Sequence, residues 1–135
     1  MHAPPAYTAE TEGVVVRVRP SYLAAQSDPA AGRWVWAYQI EIVNLTGSPV
    51  QLVARRWTIT DAYGHVEEVR GQGVVGEQPV IEAGDSYSYA SGCPLGAPSG
   101  SMVGAYYMTD VDGRMFEAAI PAFSLDVPDT RRTLN

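Results

Sequence analysis

A glycine-rich stretch, RGQGVVGEQP, has the residue types and spacing in this sequence that most resemble a ligand-binding motif. Gly71, Gly73 and Gly76 stand in the G-x-G-x-x-G spacing that holds a dinucleotide phosphate in many enzymes. Such a loop needs a helix after it, because the amino end of that helix binds the phosphate. Here Pro79 and Gly84 follow too closely for a useful helix, so the context excludes a Rossmann-type site.

A smaller anion site remains as one interpretation of this loop. A Walker loop is excluded because the chain has no lysine. The glycines could form a nest of backbone N–H groups for a phosphate or nucleotide pyrophosphate, with positive charge from an arginine. The alternative is a structural turn in which the glycines adopt positive φ angles. The candidate anion loop comprises Arg70, Gly71, Gly73, Gly76 and Glu77.

Groups that could bind metals or catalyse reactions are few. Zinc needs three or four spaced ligands, whereas His2, His65 and Cys93 are the only histidines and cysteine. The DVDG stretch at 110–113 lacks the later ligands of a calcium loop, so it predicts a hairpin turn. A lone cysteine is more often a small buried hydrophobe than a nucleophile. We therefore expect no catalytic residues, no metal site, no cofactor and no enzymatic activity.

Composition narrows the function further. The chain has 135 residues, 46% of them hydrophobic, which suits one packed domain. A net charge of −6 repels phosphate backbones and argues against nucleic-acid binding. No segment approaches the length of a membrane-spanning helix, and the first residues do not form a signal peptide. We expect a cytoplasmic protein that binds neither nucleic acid nor membranes, and the oligomeric state is left open.

The elements that position these residues are predicted to be β-strands. Short runs of alternating apolar and polar residues recur at about 8–12-residue spacing, with Gly or Pro between them. The pattern predicts an all-β fold, an immunoglobulin-like or fibronectin type III-like two-sheet β-sandwich of about seven to eight strands, with a small barrel as the alternative. The domain is expected at 11–127, between a flexible N-terminus at 1–10 and a flexible C-terminal tail at 128–135.

The same alternation predicts how some strands pair. The runs at 33–45 and 50–61 are expected to form a hairpin across the NLTGSP turn. Within the second run, Leu52 and Arg56 are expected to share a face. Pro121 is expected to break strand pairing, because proline has no backbone N–H to donate.

Arginine and tyrosine side chains supply a candidate partner face. Tyr106 and Tyr107 are consecutive on a predicted strand, so one must face away from the side that the other buries. An outward tyrosine near Arg55 or Arg56 suits protein binding, because Tyr and Arg are favoured anchors in interfaces. The alternative is a tyrosine that simply lies on the sheet surface. The candidate face comprises Arg55, Arg56, Tyr106 and Tyr107.

Three long segments resemble the ApaG family of bacterial proteins. They read YQIEIVNLTGSPVQLVARRWTITDAYG, VRGQGVVGEQPVIEAGDSYSYASGCPLGAPSGSMVGAYYM and IPAFSLDVP. The resemblance extends from Tyr7 to Val127 and includes the glycine loop. It implies a fibronectin type III-like or immunoglobulin-like sandwich with no established enzymatic activity, and an association with cobalt resistance and magnesium efflux.

The resemblance also bears on partners. A similar domain is attached to eukaryotic F-box proteins and to a DNA polymerase delta-interacting protein, which implies a protein-interaction module. Family members often read Arg-His-Trp where this chain has Arg55-Arg56-Trp57, so a role for that histidine does not carry over. The leading hypothesis is a non-enzymatic module that binds an unidentified protein. The alternative is a small-anion or nucleotide-binding module at the glycine loop.

Overall fold

The computed structural model describes residues 6–128, which form a two-sheet β-sandwich. The predicted all-β fold is confirmed. These residues form no α-helix, and none of their helical turns is long and apolar enough to cross a membrane. The strands are β1 (Tyr7–Thr11), β2 (Val14–Tyr22), β3 (Trp34–Asn44), β4 (Val50–Asp61), β5 (Val66–Gln72), β6 (Val80–Ile81), β7 (Ser86–Leu95), β8 (Ser99–Thr109) and β9 (Met115–Asp126), and the two single-turn 3-10 helices are Ala24–Gln26 and Pro29–Ala31.

Both sheets are antiparallel. The first has the order β1-β2-β3-β7, and the second has the order β5-β4-β8-β9, with β6 also paired to β4. The nine strands exceed the predicted seven to eight, because β6 is only two residues long and β1 lies largely within the segment predicted to be flexible. Residues 7–10 therefore belong to the ordered domain. Residues 1–5 and 129–135, on which the other parts of the predicted flexible ends fall, lie outside the described residues.

The core lies where the inward faces of the two sheets meet. Alternate side chains of β3 from Trp36 to Ile42 are buried, as the period-two pattern predicts. Tyr38 of the first sheet packs against Trp57 and Phe123 of the second, with ring centroids 5.5 and 6.0 Å away. Tilted and edge-to-face aromatic pairs add about 0.5–1.5 kcal/mol each to the burial of their surface. This cluster joins the two layers.

The predicted hairpin between β3 and β4 is wrong. β3 pairs with β2 and β7, whereas β4 pairs with β5, β6 and β8, so the two strands lie in opposite sheets. Alternation shows that each strand has one buried face, but it does not show which strand lies beside it. The connection at 45–49 crosses from one layer to the other.

Asn44, the last residue of β3, organises this crossing. Its side chain is completely buried. Its Nδ2 donates to the carbonyl oxygens of Ser48 and Ile81, both at 2.9 Å. Its Oδ1 accepts from the Thr46 N–H at 2.9 Å and from the Thr46 hydroxyl at 2.6 Å. The buried amide thus fixes the crossing and ties it to β6.

A β-bulge in β4 changes the face of one predicted side chain. The pairing of β4 with β8 shifts between Leu52 and Ala54. A bulge adds one residue to a strand, so the alternation on its two sides is out of phase. Leu52 therefore points into the core and is fully buried, whereas Arg56 points outward, and the prediction that they share a face is wrong.

A second bulge lets β9 continue through Pro121, where the sequence predicts a break. The β8–β9 pairing shifts between Met102 and Gly104, and β9 runs on to Asp126. Proline is tolerated at bulges because the ladder there needs no N–H donor. On the other side of β8, a Cβ on Gly104 would lie 2.0 Å from the Arg56 carbonyl oxygen, so β4 and β8 approach too closely for a side chain.

The first and last strands close one side of the sandwich. The Tyr7 hydroxyl lies 3.0 Å from the Ser124 hydroxyl, and the Ala119 N–H donates to the Thr11 hydroxyl oxygen at 3.1 Å. The opposite side is flanked by β5 and β7, the other edge strands of the two sheets. A cleft of about 290 Å³ opens between these two strands.

Candidate functional site

The tip of the glycine loop folds as a tight hairpin turn. Val75 and Gly76 have φ angles of 43° and 82°. The Val74 N–H donates to the Glu77 oxygen at 2.8 Å, and the Glu77 N–H donates to the Val74 oxygen at 2.9 Å. Two consecutive positive φ angles between such reciprocal bonds are typical of a type I′ turn. The last glycine of the motif is therefore a turn residue.

The first two glycines of the motif make room for their neighbours. Gly73 has a φ angle of 61° and donates its N–H to the Val53 oxygen at 2.8 Å. A Cβ on Gly73 would lie 2.0 Å from the Glu77 carbonyl oxygen. A Cβ on Gly71 would lie 2.8 Å from the guanidinium of Arg55. Packing and turn geometry thus account for the G-x-G-x-x-G spacing.

The arginine at this loop is Arg55 and not the predicted Arg70. Nη1 of Arg55 donates to the carbonyl oxygen of Gly73 at 2.8 Å and to that of Gln72 at 3.2 Å. Arg70 lies on the other face of β5, where its guanidinium is 3.9 Å from the Glu68 carboxylate. The Arg70 guanidinium, which was expected to bind an anion at this loop, is therefore directed away from it.

The donors of the predicted anion nest are largely engaged. The N–H groups of Gly73, Val74 and Glu77 donate to backbone carbonyls. The Glu77 carboxylate adds negative charge, and its Oε2 lies 3.4 Å from the Tyr87 hydroxyl. Desolvation and, next, this carboxylate raise the pKa of Tyr87. An anion nest needs free N–H groups that converge, so the loop geometry does not support the anion interpretation.

Replacing Gly73 with alanine should destabilise the protein more than replacing Gly76, with no ligand present. Nothing lies within 4 Å of a Cβ on Gly76, so that substitution carries only the strain of positive φ, about 1–2 kcal/mol. Gly73→Ala adds a backbone overlap, and we expect a total cost of about 3 kcal/mol. Urea unfolding of the two variants measures the difference, and equal losses would contradict the packing role of Gly73.

The predicted partner face divides between the two sides of the second sheet. Arg55 and Tyr106 are paired on β4 and β8 and point inward. Tyr106 is completely buried, with its hydroxyl oxygen 2.5 Å from that of Tyr89. Burial raises the pKa of Tyr106, so its hydroxyl stays protonated at neutral pH. Arg56 and Tyr107 point outward, and only these two can meet a partner on the outer face.

Arg56 is held in place on this outer face. Its Nη2 lies 3.1 Å from Oε1 of Glu117. Hydrogen bonds with Tyr107 and then with Glu117 raise the pKa of the Arg56 guanidinium. Arg70 lies opposite Arg56 on β5, and Val103, which is 44% exposed, lies on the same face of β8. We call these residues the outer-face patch: Arg56, Arg70, Val103, Tyr107 and Glu117.

Sequence reasoning assigned only part of this patch to protein binding. The sequence predicts Arg70 in the glycine loop, and no motif marks Glu117 or Val103. Their proximity depends on the β4–β8 and β8–β9 registers, which bulges shift in both pairs. The alternation around Glu117 is the one available signal, since it marks that residue as outward-facing.

Cys93 and His65 are not arranged as a catalytic pair. Cys93 is buried on β7, and desolvation, with a smaller contribution from Glu67, raises its pKa to about 11. The reactive form of cysteine is the thiolate, so this thiol is inert at neutral pH. His65 belongs to the β4–β5 turn, where its Nδ1 lies 3.1 Å from Oδ2 of Asp61. Cys93 thus has the character of a core residue.

The acidic turn residues stabilise their own hairpins. Asp61 Oδ1 accepts from the N–H groups two and four residues later, at 2.8 and 3.0 Å. Asp110 of the DVDG turn does the same at 2.9 and 3.0 Å, and the predicted hairpin there is confirmed. Desolvation would raise the pKa of Asp61, but hydrogen bonds from His65 and Tyr63 lower it overall. Among residues 6–128, no three His, Cys, Asp or Glu side chains are placed to hold a metal ion.

Comparison with known sequences points to a single family. The model of the ApaG domain matches residues 24–110. The protein ApaG of Brucella canis is 60% identical over 129 residues, which cover 96% of this chain and 99% of that protein. The protein ApaG of Mesorhizobium japonicum is 58% identical over 129 residues, with the same coverage of both chains.

Solved structures share the fold. The crystal structure of the putative ApaA protein from Bordetella pertussis has a TM-score of 0.84 and 41% identity, and the match covers 94% of this chain and all of that one. The C-terminal domain of Wzt has a TM-score of 0.54 at 13% identity, over 94% of this chain and 80% of that one, which shows a common fold alone. By the match of the domain model and by its near full-length relatives, the chain belongs to the ApaG family.

Proposed function

We propose that this chain is a non-enzymatic module that binds another protein through the outer-face patch. The observation that carries the proposal is the adjacent, outward placement of Arg56 and Tyr107, with Arg56 held 3.1 Å from Glu117. Arginine and tyrosine are the side chains, together with tryptophan, that most often dominate the energy of a protein interface.

The setting of these side chains favours binding. They project from central strands of a sheet and not from mobile loops, so the backbone that carries them is rigid. The hydrogen bond to Glu117 holds the Arg56 guanidinium before a partner arrives. Less side-chain entropy is then lost on association, at about 0.5–1.5 kcal/mol for each side chain that is already ordered.

The association with cobalt resistance and magnesium efflux that the family resemblance implies would, on this proposal, act through the protein partner. Two observations support a protein route over a direct metal site. Asp110 uses its carboxylate to accept hydrogen bonds from its own turn, and Cys93 is buried as a protonated thiol.

Capture from a bacterial lysate tests the proposed function. The chain is immobilised and exposed to a lysate of Mesorhizobium japonicum, which has a protein ApaG that is 58% identical. The retained protein is identified, purified and titrated against the wild type and against an Arg56→Ala, Tyr107→Ala double variant. We expect the dissociation constant to rise at least about thirtyfold, since one interface hot spot contributes about 2 kcal/mol.

The matched control lies on the other side of the molecule. Gln39 is exposed on the outer face of the first sheet, so Gln39→Ala should leave the affinity unchanged. Both variants are checked for an unchanged melting temperature. A lysate from which no protein is retained above background, or a partner that binds the double variant as well as the wild type, would refute the proposal.

A further inference from the structure

Three of the four long sheet edges in this sandwich are covered or charged. β1 and β9 lie against each other through the contacts of Tyr7 with Ser124 and of Thr11 with Ala119. β5 carries a row of charged residues, Glu67, Glu68 and Arg70. Natural proteins protect sheet edges in these ways, because an open edge pairs readily with another chain.

β7 is the exception. Its ten residues, SYSYASGCPL, include no charged side chain. Its pairing with β3 is unbroken from Ser86 to Leu95, so no bulge twists the strand away from a partner. Within residues 6–128, no strand pairs with the side of β7 that faces away from β3. The strand thus lacks charges and bulges, and its one proline, Pro94, lies near its end.

The hydrogen-bonding pattern shows which groups of β7 are open. The Asn44 N–H donates to the Asp85 oxygen at 2.9 Å, just before β7 begins. Hydrogen-bonded pairs alternate along an antiparallel ladder, so Tyr87 and every second residue after it bond to β3. The N–H and C=O groups of the residues between them point away from the sheet. These residues are Ser86, Ser88, Ala90 and Gly92.

The cleft between β5 and β7 would receive side chains of a strand added at this edge. Its floor includes Trp57, Ile59 and Val69, and its volume is about 290 Å³. Successive side chains of a strand point to opposite faces. Every second residue of the added strand would therefore lie over the apolar side chains of this floor, so the occupant should carry apolar residues at alternate positions.

Charge on the cleft side of the β7 edge favours a basic occupant. Asp85 precedes β7, Glu67 lines the cleft, and the Glu77 carboxylate lies 3.4 Å from the Tyr87 hydroxyl. Arg55 is the basic residue that lines the cleft, and its guanidinium already binds two loop carbonyls. A second copy of this chain, with a net charge of −6, is repelled, whereas a segment with lysine or arginine is attracted.

We infer that β7 is a strand-addition site for an extended segment of another protein, with apolar residues at alternate positions and at least one lysine or arginine. Such a segment pairs with the outward groups of Ser88 and its neighbours and places its apolar side chains in the cleft. This surface is separate from the outer-face patch, and its test does not depend on that patch.

Selection from a displayed library of random nonapeptides tests this inference. We expect enriched peptides with the alternating apolar and basic pattern, whose affinity falls as salt is added. Ser88→Pro removes one outward N–H and leaves the β3 ladder intact, and it should weaken these peptides at least about tenfold, or about 1.4 kcal/mol. Ser88→Ala is the matched control, and it should change their affinity less than about twofold.

Two further measurements keep the test decisive. Synthetic peptides N-methylated at alternate residues should lose binding in one register of methylation and keep it in the other. An Arg56→Ala, Tyr107→Ala variant should still bind the peptides, which separates this site from the outer-face patch. The inference is overturned by a selection that enriches no peptide, by peptides that bind Ser88→Pro unchanged, or by a wild-type dimer that Ser88→Pro converts to a monomer.

Discussion

Replacing Asn44 with alanine is expected to lower the free energy of unfolding by about 4 kcal/mol, because it leaves buried polar groups without partners. The Ile81 carbonyl oxygen and the Thr46 N–H lose their partner, whereas the Ser48 oxygen and the Thr46 hydroxyl keep the hydrogen bond between them, at 2.8 Å. Each such group costs about 1–3 kcal/mol when it stays buried and unpaired. A single domain has only about 5–15 kcal/mol in total. Urea unfolding followed by tryptophan fluorescence measures the loss.

Ser48→Ala is the control for this prediction. Ser48 contributes its backbone oxygen to the Asn44 network, and alanine keeps that oxygen. We expect a change within about 0.5 kcal/mol, as for most substitutions away from buried networks. If Asn44→Ala costs less than about 1 kcal/mol, or no more than Ser48→Ala, the buried amide does not organise the crossing between the sheets.

Replacing Gly104 with alanine is expected to cost at least about 3 kcal/mol through steric overlap. The added methyl would lie 2.0 Å from the Arg56 carbonyl oxygen and 3.2 Å from the Trp57 Cα, both on the paired strand β4. Backbone atoms cannot rotate away as a flexible side chain can, so β4 and β8 must separate. For a domain of this size we expect a melting temperature about 10 °C lower, which calorimetry can measure.

Gly92→Ala is the matched control for Gly104→Ala, since both glycines lie within strands. A Cβ on Gly92 would lie 3.5 Å from the Trp36 oxygen, an ordinary van der Waals contact. We expect its melting temperature to change by no more than about 3 °C. Equal losses in the two variants would show that glycine is required for backbone conformation and not for the close approach of β4 and β8.

The fold class could be predicted from the sequence, but the pairing of strands could not. Alternation identified the buried faces of β2 and β3, because it reports the contrast between core and solvent along one strand. It could not place β3 and β4 in different sheets, since that choice depends on the Asn44 network at the crossing. It also missed the bulge at Leu52 and the one near Pro121. A bulge adds one residue to a strand, so the inward and outward positions after it no longer follow the alternation before it.

The sequence predicted those features of the candidate site that depend on local backbone geometry, but not those that depend on strand pairing. The exclusion of a helix after the glycine motif followed from Pro79, and the structure has strands there. That Arg55 and not Arg70 meets the loop depends on the β4–β5 register, which places Arg55 opposite Gly71. The open edge at β7 could be identified only from the full strand order. The sequence SYSYASGCPL does not show whether a second strand pairs with the side of β7 that faces away from β3.

The contact of β1 with β9 has a consequence for how this domain can be joined to others. Tyr7, at the start of the first strand, touches Ser124, near the end of the last one. The chain therefore enters β1 and leaves β9 at the same corner of the sandwich. A domain with neighbouring entry and exit points can be inserted into a surface loop of another protein without stretching either fold. The same geometry allows a circular permutant in which a short linker joins β9 to β1.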